Sequence, residues 1–166
     1  MQDRAVQLSM EADEVSNTLS MVSQLSNLSL QLYSWYIKNG HSRNEKETKS
    51  VQQFFTSRLG NKTAECKSFY ERLYLYQSYC WNAFIRQDFL QYYRYTQKWV
   101  NLFDEEPFML EIETAHYIKG MHNLMGSHFD LGNHKKLIET LAIFDRFCQS
   151  DLVQNNVNNR IQSFVY

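Results

Sequence analysis

One proline and five glycines in 166 residues leave little material for tight turns. A sandwich or barrel, which spends such residues at every short reversal, is therefore excluded. Three cysteines, Cys66, Cys80 and Cys148, are scattered without a C-x-x-C and cannot all pair. They are read as structural thiols of a reducing compartment, the cytoplasm. No basic n-region followed by an apolar run opens the chain, and no window approaches 18 apolar residues, so neither a signal peptide nor a membrane span is expected. There is no G-x-S-x-G, no glycine-rich phosphate loop and no cysteine in an exposing turn, so catalysis and cofactor binding find no motif.

Helix formers dominate what remains, with many Tyr and Phe, which suits long packed helices. The formal charge is −1 but uneven: ten Lys/Arg face five Asp/Glu over residues 41–103, and four face nine over 104–151. Such a basic middle beside an acidic third can orient a charged partner, pair two copies head to tail, or simply reflect solvated helix faces.

Ala5, Leu8, Ala12, Val15 and Leu19 recur at spacings of three and four, a helical stripe with no N-cap before it. It reads as a helix cut from something longer, so that 1–166 is a single helical-repeat domain and a fragment. The run SNTLSMVSQLSN is expected to break this helix near Ser20 to Ser23, since serine competes for backbone groups. A second helix spans about 22–39 on Leu25, Leu28, Leu32 and Trp35, ended by Asn39-Gly40. A third spans about 44–59 on Val51, Phe54, Phe55 and Leu59, closed by Gly60-Asn61. An aromatic fourth helix covers about 62–86, and Asp88 caps a fifth over 89–103. Pro107 opens a sixth over 107–130, and a seventh, 134–149, carries Leu137, Leu141, Phe144 and Cys148 as its core stripe. The last segment aligns Val153, Val157, Ile161 and Phe164, and either packs back on helices six and seven or self-associates through residues 152–166.

Residues 73–147 overlay themselves at an offset of 44: Cys80 falls on Leu124, Ile85 on Phe129, Trp99 on Ile143, Val100 on Phe144 and Phe103 on Phe147. A fixed period in this range marks stacked helix pairs. The expected fold is all-α, a solenoid of stacked antiparallel pairs with a period of about 44 residues. Trp81, Ile85, Asp88, Tyr93, Val100 and Pro107, then Met125, Phe129, Gly132, Leu137 and Phe144, resemble tetratricopeptide-like (TPR-like) repeats over roughly residues 20–149. The period also fits HEAT-like pairs. The general flavour is that of helical-repeat regions of bacterial proteins of unknown role. The resemblance implies a non-catalytic platform for a protein or peptide partner, held in a groove lined by the first helix of each pair.

On that basis a binding ridge is expected at Tyr79, Asn82 and Arg86 of helix four, carried by the offset to Lys119 and Asn123 of helix six. Asn82 and Asn123 would pair with a peptide backbone, and Arg86 and Lys119 with a carboxylate. The alternative is a helical metal-binding or enzymatic bundle using Glu113 and His116, an E-x-x-H half-motif. No second E-x-x-H exists, so no metal or cofactor is expected. His116, His122, His128 and His134 recur every six residues but point to different faces, as unrelated and partly exposed side chains. Aromatics interleaved with Arg72, Arg86, Arg94 and Lys98 could stack bases, yet the acidic net charge argues against nucleic acid.

Overall fold

A computed structural model describes the backbone of residues 2–165 and the side chains of residues 11, 15 and 20–164. All its elements are helices: α1 Gln2–Asn39, α2 Glu45–Leu59, α3 Lys62–Glu65, α4 Phe69–Ile85, α5 Phe89–Glu105, α6 Met109–Ile112, α7 Thr114–Asp130, α8 His134–Cys148, α9 Asp151–Gln154 and α10 Val157–Val165. From the sequence a single domain is expected; the chain gathers into two compact units, Met1–Arg86 and Gln87–Tyr166.

In the first unit α1 runs unbroken through the serine-rich run, where a break is expected. Serine's preference for caps is a few tenths of a kcal/mol per residue. Burying Leu25, Leu28 and Leu32 in one cluster with Val51, Phe55, Leu59, Leu75 and Ile85 outweighs it. Of the expected amino-terminal stripe only Val15 lies within the described side chains, and it is exposed. Gly40, at φ 75°, ends α1 with its N–H on the Tyr36 carbonyl, 2.7 Å. Asn44 then caps α2 by accepting from the Glu47 N–H, while Glu47 accepts from the Arg43 N–H at 2.8 Å.

The expected continuous helix over 62–86 is two. Ser68 starts α4 with a capping box, its hydroxyl accepting from the Glu71 N–H while the Glu71 carboxylate accepts from the Ser68 and Lys67 N–H groups. Contacts climb together along α1 and α4: Leu25 meets Ser78, Tyr33 meets Trp81 and Tyr36 meets Phe84. The two therefore run the same way. Contacts of α2 with α4 run oppositely, Gln52 meeting Asn82 and Phe55 meeting Tyr79.

The second unit is built on α7. Its Gly120 lets α5 approach so closely that a Cβ there would lie 3.1 Å from the Trp99 indole nitrogen. Tyr93 faces His128 and Phe103 faces Tyr117, so α5 and α7 are antiparallel. His122 faces Phe144 and Tyr117 faces Phe147, which makes α7 and α8 antiparallel too. The expected sixth helix is broken at Glu113, at φ −117° and ψ 41°, leaving α6 as one turn.

Burial follows the 44-residue offset at Cys80 with Leu124 and at Val100 with Phe144, all buried. It fails at Ile85 with Phe129, where the second member is 67% exposed, and at Trp99 with Ile143. Leu73 and Phe103 are buried as expected, Leu137 is only half-buried, and Leu141 is 52% exposed instead of in the core. α8 has neighbours on one side, so only Thr140 and Phe144 are buried. α10 packs back on α7, but with its polar edge: the His122 ring meets the Ser163 carbonyl at 3.2 Å while Val157, Ile161 and Phe164 face outward.

Candidate functional site

The three expected site residues of α4 do not line an open groove. Asn82 is 2% exposed, and its amide donates to Gln52 of α2 at 3.2 Å. The Tyr79 ring sits edge-on to Phe55 with its hydroxyl 3.1 Å from that of Thr63. Half-buried Arg86 turns its Nε back to the Asn82 carbonyl. That face is what remains of α4 once its expected core positions are set aside, and Gln52 and Phe55 of α2 occupy it. Lys119 and Asn123 lie half-buried on α7 in the other unit.

Among the described residues of the first unit, an open concavity lies instead between α1 and α2. These helices form an antiparallel pair, Asn39 near Glu47 at one end and Gln24 near Lys62 at the other. They are loosely apposed, and three separate cavities lie in turn along their seam, over about four helical turns of α1. Its most apolar cavity, about 220 Å³, lies over Leu32, Trp35, Val51 and Phe54, with Gln31 and Ser50 at the lip. Leu32 and Val51 are buried core residues, whereas Trp35 and Phe54 are half-buried and offer an aromatic edge to the opening. The sequence counts Trp35 and Phe54 as core. The signal that they are shared with the surface is the run of polar neighbours at helical spacing, Gln24, Asn27, Gln31 and Asn39.

Charge is placed at both ends of this seam. Arg58 and Lys62 stand at one end and Arg43 with Glu47 at the other. Glu47 is engaged by the Arg43 N–H, and Glu45 by Lys49 at 2.7 Å. Arg58 lies over the Phe54 ring, 5.6 Å from its centre, and Lys62 donates to the Arg58 carbonyl. Neither meets a carboxylate among the described residues. An apolar floor with an amide lip and one cationic end suits a mixed apolar and acidic ligand.

Groups that could carry chemistry are placed otherwise. Burial, then Glu71 and Glu65, pushes the Cys66 thiol up to about 11, and burial also raises Cys148, so both are poor nucleophiles near neutrality. Cys80 is a buried thiol. Glu113 and His116 approach to 3.9 Å, with burial lowering the His116 pKa against the pull of Glu113. Among the described residues no group of three or more His, Cys, Asp or Glu comes together, so this pair lacks the further ligands a metal needs. His128, expected to be partly exposed, is buried beside Tyr93, and its Nδ1 has no hydrogen-bond partner. No helix among the described residues is long and apolar enough to cross a membrane. Compared with known proteins, the all-helical chain matches no family model, no curated protein and no solved structure.

Proposed function

We propose that this chain is a non-catalytic interaction scaffold, a short TPR-like stack of helix pairs that holds a segment of a partner protein or peptide in the α1–α2 seam. The carrying observation is the seam itself, an open cleft with an aromatic edge and a cationic end whose Arg58 and Lys62 meet no carboxylate among the described residues. Helix directions favour the stacked arrangement: α1 and α2 form an antiparallel pair, α4 returns parallel to α1, and α7 with α8 forms a second antiparallel pair. α1 is the first helix of its pair, so the groove-lining role moves from α4 to α1. The raised thiol pKa values favour binding over catalysis, as does the lack, among the described residues, of any group of three or more His, Cys, Asp or Glu.

Gln31→Trp with Ser50→Trp fills the cleft from two exposed positions without touching the core. Crosslinking with mass spectrometry on the intact chain should place partner segments beside Lys49 and Lys62, and these crosslinks should vanish in the filled variant. Partners crosslinked only elsewhere, and retained by that variant, would move the site.

A further inference from the structure

The chain itself carries a segment of the chemistry this seam suits. Between α5 and α7, residues 104–113 read DEEPFMLEIE, five acids around a short apolar run. Phe108 is 63% exposed and Ile112 61% exposed. Being four apart across the single turn of α6, they stand on one side. Asp104 and Glu111 are exposed as well. The turn is ordered: Met109 is buried beneath it, and N–H groups of Met109, Leu110 and Glu113 bond to the carbonyls of Glu106, Pro107 and Met109 at 3.0, 3.1 and 2.7 Å. A prearranged knob loses little freedom on docking.

We infer that the α1–α2 seam of one copy takes the Asp104–Glu113 segment of a second copy, an inference that rests on the seam being a docking surface. Phe108 and Ile112 cover Trp35 and Phe54, and Asp104 and Glu111 meet Arg58 and Lys62. Charge complementarity selects this occupant: Arg58 and Lys62 meet no carboxylate among the described residues, and the exposed knob is acidic. The contact joins two different surfaces, so each added copy leaves another seam and another knob, and assembly continues beyond a dimer unless the rotation closes a ring.

Sedimentation of the full chain over about 1–300 μM tests this, since a small charged interface is weak and screened by salt. Mass should rise past that of a dimer in low salt, with affinity falling at least tenfold near 0.5 M salt. Arg58→Glu with Lys62→Glu should be monomeric, and so should Asp104→Lys with Glu111→Lys. An equimolar mixture of the two charge-reversed proteins should associate again, which misfolded chains would not do. A wild-type chain monomeric throughout, association unchanged in both variants, or a mixture that stays monomeric would overturn the inference. If the chain is monomeric while the filled seam still loses partner crosslinks, only the choice of a second copy fails.

Discussion

Replacing Glu71 by alanine removes the acceptor that two backbone N–H groups share at the start of α4, those of Lys67 at 2.7 Å and Ser68 at 2.9 Å. Hydrogen bonds to an ionised acceptor are worth about 1.5–3 kcal/mol each, but Lys67 is exposed and its N–H regains water, so the expected loss is about 2 kcal/mol. Glu71→Gln keeps an acceptor oxygen and loses only the charge, so about 1 kcal/mol is expected. The pH dependence separates the two effects. Burial alone would raise the Glu71 pKa, yet the N–H groups of Lys67 and Ser68, the Ser68 hydroxyl and the Lys67 charge together hold it below the ordinary 4.5. Because the folded value is the lower one, this stabilisation is complete above the ordinary value and fades as pH falls through the folded value. The stability gap between wild type and Glu71→Gln in urea melts should therefore be constant from about pH 8 to 6 and shrink below about pH 4. Exchange of the Lys67 and Ser68 amide protons should quicken in Glu71→Ala. A gap independent of pH, or unchanged exchange, would refute this account of the α4 start.

Leu124→Ala should cost about 2–5 kcal/mol, because Leu124 is buried in one cluster with Val100, Ile118, Met121 and Phe144; Leu141→Ala, equally apolar but exposed, should cost under about 1 kcal/mol in the same melts. Gly120→Ala sets a helix gain of about 1 kcal/mol against a Cβ 3.1 Å from Trp99 and 3.3 Å from Val100; with Trp99 fully buried, overpacking should win and lower the melting temperature. Burial, and then Lys136, lowers the His128 pKa below the ordinary 6.5 in the folded chain. The unfolded chain therefore takes its proton first, and stability should fall as pH drops below 6.5, a slope smaller in His128→Gln.

Helix existence was legible wherever local chemistry and burial agree. Gly40, Asn44, Gly60 and Asp88 terminate or start helices by side-chain-independent φ or by a cap to the backbone, and each acts within four residues of itself. The breaks that escaped notice differ in kind. Ser68-Phe-Tyr-Glu71 is a capping box readable in the sequence, hidden by an aromatic stripe that continues across it. The break at Glu113 has no side-chain cap and no glycine, and Thr114 merely bonds back to the Leu110 carbonyl at 2.8 Å. Nothing local announces it.

Which face of a helix is covered is a different question, because it depends on neighbours that periodicity cannot name. Phe129, Ile143 and Leu141 repeat the spacing of buried residues, yet α8 has packed elements on one side and leaves them outside. The same indeterminacy governs the expected ridge on α4. Asn82 looked available because it is polar, yet a polar side chain at a helix crossing is tolerated when a facing amide satisfies it, as Gln52 does in part. Trp35 and Phe54 looked like core because they are aromatic, yet α1 and α2 separate enough to leave their edges at a cleft. Residue type reports the cost of burial and not whether burial occurs. The more telling signal is a mismatch along one helix. In α10 the apolar residues Val157, Ile161 and Phe164 are exposed, the last at 87%, while Asn159, Gln162 and Ser163 turn inward. Among its described side chains, such a helix is held by contacts such as His122 to the Ser163 carbonyl more than by apolar burial. Its attachment to α7 should therefore be among the first to open on heating, and hydrogen exchange in α10 should outpace that in α7.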